Sequence, residues 1–380
     1  MKPFFAALLL GVLPALFPGP GTELSARQFF LSQWGAYLDM PQGWEPLESE
    51  ETRVTFSGSG AYLQIKTYAA DRFATAEDIA VFAMNELTAD AEGEEFTYLG
   101  EEAMFFTFLF ALGGEPFEGY GLTLNSGDYD WIVLSFAPAS RLAALNPFLL
   151  SALDSFSPDA RGLLSPGPVS RYYQASYGPE ELIPAQVDFR GLRLNLELER
   201  FAQESSEAVI QREAEVLNHY SPQDGDAWSR FYRMIYRDVY RKVDPLYRAL
   251  VLAGMRPPEA PGDIARELLA FIQGFEYDRT WNLADFASPQ EALLTGQGDC
   301  DSLAIFYVIL LKHYGIDGII MVSSRFSHAL AAVDVEGPGA RFPFEEKRYL
   351  VAETTADVEL GLIESSMSAV EGWLGVSFFP

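Results

Sequence analysis

The chain alternates between stretches with a two-residue apolar period and stretches with a helical one. Residues 37–41 and 43–47 form short strand-like runs around a turn, and residues 53–56 and 62–68 alternate apolar with polar across Gly58-Ser59-Gly60. Residues 75–87 switch to helical spacing: Thr75 is placed to cap, Glu77 and Asp78 suit a first turn, and Ile79, Phe82, Ala83 and Leu87 form one stripe. Strand-like runs return at 96–99, 103–112, 120–125 and 131–136, the last after a Gly127-Asp128 turn, and residues 141–156 close the block as an amphipathic helix. Strands, helix, several antiparallel strands and helix over 36–157 predict a curved sheet with helices against it, an α+β domain.

Residues 158–186 carry the breakers Ser165-Pro166-Gly167-Pro168 and Tyr177-Gly178-Pro179 and read as a linker. Beyond it, residues 187–260 form a strand and helical segment joined to a last domain, 261–380. Leu192, Leu194, Leu196 and Leu198 alternate with Arg193, Asn195 and Glu197, and Gly191 shifts the phase after Phe189 as a bulge would. A helix follows over 205–217, then a longer one over 227–252 with a kink expected at Pro245. Its apolar stripe is Trp228, Phe231, Ile235, Val239 and Val243, while Arg230, Arg233, Arg237 and Arg241 fall on another face. That ridge is a docking surface for acidic substrates or, on the reading the charge pattern favours, solvated or interdomain charge.

Toward the C-terminus a helix is expected over 262–274. Ser288-Pro289-Gln290-Glu291 is a capping box with proline at the first helical position. After Gly296-Gln297-Gly298-Asp299-Cys300, the residues Leu303, Ala304, Phe306, Tyr307, Ile309, Leu310 and Leu311 give an almost wholly apolar helix ending at Gly315, which belongs in a domain centre. Strands follow at 319–322, through Ser327-His328-Ala329-Leu330, and over 349–355.

Charge narrows the function classes. The 380 residues hold 54 acidic and 26 basic side chains, a formal charge of −28. Nucleic acid is excluded as a partner because phosphate binding needs a basic footprint, and an anionic membrane surface is disfavoured for the same reason. Acidic runs at 48–51 and 92–102 lack calcium-loop spacing and read as a solvated face. The first residues, with Lys2 before an apolar stretch at 4–17 and small residues up to Ala26, read as a secretory signal peptide over 1–26. This places the protein outside the cytoplasm, secreted or periplasmic, with no lipid-modified cysteine near the cleavage point and no membrane span after cleavage. In an oxidising compartment structural cysteines come in pairs, and this chain has one.

That cysteine, Cys300, sits where a glycine-rich loop enters a helix, where unpaired backbone N–H groups and the macrodipole favour a thiolate. A histidine on one strand and a carboxylate on the next would supply its base and the base's partner. Of the three histidines, His219 ends a helix outside this region and His313 lies on the Cys300 helix, about 20 Å along at helical rise, which leaves His328. Asp299 and Asp301 flank the thiol; their field opposes a thiolate, so they are expected to point away from it.

Two resemblances follow from these residues. Leu38-Asp39-Met40-Pro41-Gln42-Gly43-Trp44 together with the element order of 36–157 resembles PsbP-like and DcrB-like secreted domains. Gly298-Asp299-Cys300-Asp301-Ser302-Leu303-Ala304, Pro289-Gln290-Glu291-Ala292-Leu293-Leu294, Ser327-His328-Ala329 and Val351-Ala352-Glu353-Thr354-Thr355 resemble the transglutaminase-like superfamily over about residues 261–360. That resemblance implies a papain-like α+β core with Cys300 as nucleophile, His328 as base and Glu353 as third member. The superfamily usually has aspartate there, followed by proline and threonine; here Glu353 and Thr354 stand in those places, and Asp334 is the alternative carboxylate. The Cys300 N–H and either the Trp281 indole or the Gln297 amide would form the oxyanion hole. The implied activity is acyl transfer from a protein or peptide amide through a Cys300 thioester, to water (peptidase or amidase) or to an amine (crosslinking), with no cofactor and no metal. The competing expectation is a non-catalytic peptide- or protein-binding module that keeps the fold.

Overall fold

The computed structural model of the protein describes residues 22–25, 28–70, 72–178, 181–221, 224–256, 260–279 and 284–378. The leader expected over 1–26 lies mostly outside the described residues, and so does Trp281. The chain forms two compact units, one holding residues 1–162 and 167–175, the other 163–166 and 176–380. Both are mixed α+β, built on antiparallel sheets.

In the first unit β1 (Thr22–Ser25), β2 (Gln28–Leu31) and β3 (Ala36–Asp39) make a small sheet. The main sheet has seven strands: β4 (Glu45–Ser49), β5 (Arg53–Gly58), β6 (Ala61–Ala69), β7 (Asp90–Tyr98), β8 (Glu101–Leu112), β9 (Glu115–Asn125) and β10 (Tyr129–Pro138). They lie in the order β4-β5-β6-β10-β9-β8-β7. Helix α1 (Ala76–Leu87), capped by the Thr75 hydroxyl, packs Ile79, Ala83 and Met84 against Phe106, Phe108, Ile132, Leu134 and Phe136. Helix α2 (Leu142–Asp154) takes the other face of β10, where the Ser135 hydroxyl donates to the Leu149 carbonyl at 2.9 Å. Both faces of the central strand are thus covered, and β10 is buried at almost every position rather than at every second one. The strand expected at 96–99 begins at Asp90. Its N-terminal half is an exposed, carboxylate-rich sheet edge, where no apolar alternation is needed.

The stretch expected as a linker is largely structured. It carries α3 (Pro168–Ser176) and then β11 (Leu182–Phe189), which pairs antiparallel with β12 (Leu192–Glu199). The expected bulge is a correction: Arg190 and Gly191 both have positive φ, 51° and 75°, and form the two-residue turn of a hairpin whose register runs unbroken. Gly191 breaks the apolar phase because it is the turn, not an inserted residue.

The second unit continues with α4 (Ala202–Leu217), α5 (Gly225–Val239), α6 (Asp244–Leu252) and α7 (Pro261–Ile272). The long helix expected over 227–252 is two helices joined by a 3-10 turn at Arg241–Val243. Pro245 kinks nothing, because it occupies the first turn of α6, where its missing N–H costs no hydrogen bond. Of the expected arginine ridge, only Arg241, past the end of α5, is exposed to solvent. Arg230, Arg233 and Arg237 are buried; Arg230 donates to Glu213 of α4 at 2.8 Å and Arg237 to the Ser165 carbonyl at 3.1 Å.

Short β13 (Glu276–Tyr277) runs parallel to β14 (Gln297–Gly298), on either side of α8 (Pro289–Thr295). Helix α9 (Cys300–His313) follows, buried from Cys300 to Leu311 apart from Asp301. It packs on α7, α8 and one face of a sheet ordered β17-β18-β16-β15-β19. The strands are β15 (Gly318–Ser323), β16 (His328–Val333), β17 (Arg341–Phe344), β18 (Lys347–Ala352) and β19 (Leu374–Val376). Ile320, Ala331, Val333 and Ala352 meet α9 in the main core, while Ile319, Met321, Leu330, Ala332 and Val351 form a second core on the opposite face.

Candidate active site

The loop into α9 is fixed residue by residue. Ser288 caps α8 by accepting the Glu291 N–H at 3.1 Å, and Gly296 ends that helix with a left-handed backbone at φ 75°. A Cβ on Gly298 would stand 2.9 Å from Leu303 Cδ2, so the turn packs on the helix it feeds. Asp299 is the cap of α9: its Oδ1 accepts the Ser302 N–H and hydroxyl, both at 2.8 Å, and its Oδ2 accepts the Ala287 N–H at 3.2 Å. Cys300 therefore stands at the first position of the helix, 8 % exposed.

His328 opens β16, directly after Ser327, whose φ of 49° is unusual for a side-chain-bearing residue. Glu353 follows the last residue of β18 instead of lying within the strand, so the strand expected over 349–355 ends early. Continuing the pairing Ala331↔Ala352 puts Glu353 beside Leu330, on the sheet face shared by His328 and two residues short of it along the strand. The longer glutamate arm spans that offset. His328 Nε2 and Glu353 Oε2 are 3.0 Å apart. The other carboxylate oxygen, Oε1, accepts the Thr355 N–H at 2.9 Å and its hydroxyl at 2.6 Å. Gln273 ties the Glu353 and Val358 carbonyls together at 2.8 and 2.9 Å, anchoring the chain just past the strand. Burial works to raise the Glu353 carboxyl, but the bonds from His328 and Thr355 outweigh it and hold the group below its usual range. An ionised carboxylate only accepts, so Nε2 carries the proton and Nδ1 is the basic nitrogen of His328.

Cys300 and His328 border one cavity of about 390 Å³, walled also by Trp228, Phe231, Tyr232, Tyr277 and Phe286. The backbone N–H of Ala329, the residue beside His328, favours the ionised form of the Cys300 thiol. The cavity is acidic: Asp285, Asp299 and Asp301 line it with Arg279, whose Nε lies 3.3 Å from Asp285 Oδ1.

The flanking aspartates require a correction. Asp301 does not point away from the thiol; the thiol donates to its Oδ2 at 3.3 Å, and Tyr232 donates its hydroxyl to Oδ1. Burial, and then the Asp301 charge, push the Cys300 thiol well above its usual range, so the resting site holds a protonated thiol. Desolvation likewise raises Asp299 and Asp301, two carboxyls at one helix start.

The remaining candidates fall elsewhere. The Gln297 amide donates to Glu276 at 3.3 Å and does not border the cavity. Asp334 is paired with Lys347 at 2.9 Å. His313 stacks on Tyr240 and Tyr247, with ring centroids 4.3 and 5.1 Å away, and His219, just past α4, bonds the Glu215 carbonyl of that helix. Tyr232 and Gln273 were not singled out from the sequence. Tyr232 lies on α5 and Gln273 just past the end of α7, each far along the chain from its partner, and an apolar stripe does not announce which of its tyrosines carries a hydroxyl contact. Thr355 had a local signal, since it stands two residues after Glu353.

No family model matches the chain, and no curated protein matches it. Solved structures similar to parts of it include the cyanobacterial PsbP protein CyanoP of Synechocystis sp., at 16% identity over 39% of this chain and 98% of that one, with a TM-score of 0.29. LpqN of Mycobacterium tuberculosis, a protein involved in cell envelope biogenesis, is similar at 14% identity over 32% of this chain and 82% of its own, with a TM-score of 0.25. A Bacteroides thetaiotaomicron protein is similar at 11% identity over 58% of this chain and 80% of its own, with a TM-score of 0.27. Likeness at this level says nothing about activity. Among the described residues no helix is long and apolar enough to cross a membrane.

Proposed function

We propose that the protein is a thiol-dependent acyl-transfer enzyme of transglutaminase-like type, acting on protein or peptide amides through a thioester at Cys300. One observation carries the reading: the His328–Glu353 pair at 3.0 Å, with Nε2 committed to the carboxylate, on the same cavity as the single thiol. A histidine merely filling a core needs no ionised carboxylate held by two further donors.

The chemistry follows from the proton inventory. His328 Nδ1 takes the thiol proton as the sulfur attacks the substrate carbonyl carbon, and Glu353 steadies the imidazolium. The imidazolium then protonates the leaving amine as the C–N bond breaks, leaving a thioester. Water or a second amine, deprotonated by the same nitrogen, attacks the thioester and expels the thiolate, which recovers the proton. The Cys300 N–H at the helix start is the donor proposed for the oxyanion. The N-terminal unit is proposed as a PsbP-like accessory module, and the leader reading sets the reaction outside the cytoplasm. In a chain of that destination a solitary cysteine has no disulfide role, which favours a reactive one.

The resting thiol gives the second reading its footing. A cysteine held protonated against Asp301 also suits a binding module that keeps the fold without the reaction. One experiment separates the two. Peptide amides are supplied with and without an amine donor to wild type, Cys300→Ala and His328→Ala. The enzyme reading expects turnover by wild type alone, with Cys300 trapped as an acyl-enzyme. Equal, background-level rates in all three proteins, each folded, make it a binding module.

A further inference from the structure

Among the described residues the Cys300 thiol has one hydrogen-bond partner, Asp301, to which it donates at 3.3 Å. Asp301 in turn is fixed on its other oxygen by Tyr232, a residue 0 % exposed on α5. The carboxylate is thus pinned from a different helix and aimed at the sulfur. We propose that Asp301, pinned by Tyr232, is a positioning residue of the Cys300 site: it orients the thiol and holds it protonated in the resting protein, with the proton directed at Asp301 instead of at His328.

The inference rests on the acyl-transfer reading for its purpose, but its physics is independent. A thiol and a carboxylate sharing one proton carry one negative charge between them. Ionising the sulfur while Asp301 stays charged puts two negative groups side by side in a poorly hydrated spot. The other groups facing that spot do not cancel this cost evenly. Asp299 at the helix cap and Asp285 ahead of α8 add to it, Tyr277 on β13 is neutral, and Arg279 after β13 and His328 on β16 oppose it. Arg279 is already matched by Asp285. Removing the Asp301 charge while keeping an acceptor for Tyr232 therefore frees the thiol to ionise toward His328. Asp301 follows Cys300 directly in the chain, so α9 sets both at once.

The test is the pH profile of Cys300 alkylation by iodoacetamide in wild type and in Asp301→Asn, which keeps the side-chain shape. The variant is expected to move the alkylation midpoint down by at least one pH unit, giving about tenfold more thiolate at neutral pH. A midpoint that stays in place or rises overturns the inference. A structural effect alone changes melting behaviour without shifting that midpoint downward. A second measurement needs no variant: Cys300 is the only cysteine, so the infrared S–H stretch reports it alone. Wild type at neutral pH is expected to show a low-frequency, hydrogen-bonded S–H band. A band at the free-thiol position, or no S–H band at all, overturns the proposal even where Asp301→Asn fails to fold. The two readings fail separately. Turnover with an unmoved midpoint sinks the Asp301 role alone. A shifted midpoint in a protein that turns over no amide sinks the enzyme reading and supports the hold on the thiol.

Discussion

Glu353 and Asp301 are two carboxyls within one site, and burial pushes both the same way, toward the protonated form. They end on opposite sides of their usual range. Glu353 collects an imidazole N–H, a backbone N–H and a hydroxyl, and is held low. Asp301 collects the Tyr232 phenol and the Cys300 thiol, which do not offset its desolvation, and the Asp285 charge adds to it; it is held high. Desolvation decides the direction at Asp301, whereas at Glu353 the bonds from His328 and Thr355 outweigh it. On the proposed mechanism one carboxylate stays charged to steady the imidazolium, and the other competes for the proton of the thiol.

The largest break in that comparison is the removal of the charged member. Glu353→Ala leaves His328 without its orienting partner and is expected to lower kcat by about 10³–10⁴-fold on any amide that wild type turns over, with KM little changed. An unchanged kcat would assign the third role to no residue of this strand end. A third buried carboxylate extends the contrast into the fold itself. Glu213, 1 % exposed, takes Arg230 at 2.8 Å and Arg212 at 2.9 Å. Arg230→Ala strips one partner from a buried charge and is expected to cost about 3–5 kcal/mol in denaturant unfolding. A loss under about 1 kcal/mol would mean that the remaining partners of Glu213 suffice.

How much of this could be read from the chain depends on whether the deciding signal was local. The helices around Cys300 are legible because capping residues and apolar spacing sit next to each other: Ser288 caps the helix its capping box announces. The α5 arginines were misread because a helical charge stripe looks the same whether water or Glu213 faces it; the partner lies on another helix. Gly191 was misread because a two-residue turn and a bulge both break the apolar phase, and only the pairing of β11 with β12 tells them apart. Asp301 was misread for a better reason. Electrostatics favours a carboxylate that avoids a thiolate, and the structure instead keeps the carboxylate and gives up the thiolate. Glu353 departs from the usual aspartate of the resemblance, and its place past the end of β18 is where the longer arm meets His328.

The smallest effect is also the sharpest, because the two carboxyls must move stability in opposite directions with pH. Glu353 has a folded pKa below its unfolded one, so its contribution is present above the unfolded value of about 4.3 and is lost as pH falls through the folded value. Glu353→Gln should therefore cost about 1.5–3 kcal/mol at neutral pH and progressively less in acid. Asp301 has a folded pKa above its unfolded value of about 3.9. The folded protein then holds that proton more tightly than the unfolded chain does, and stability is lost as pH rises from the unfolded value through the folded one. Asp301→Asn should match wild type near pH 3 and exceed it near pH 8. Melting temperatures for the three proteins across that range give two difference curves, one falling and one rising with pH. Curves that run parallel would mean that burial alone governs both groups and that the donors around Glu353 do not hold it charged.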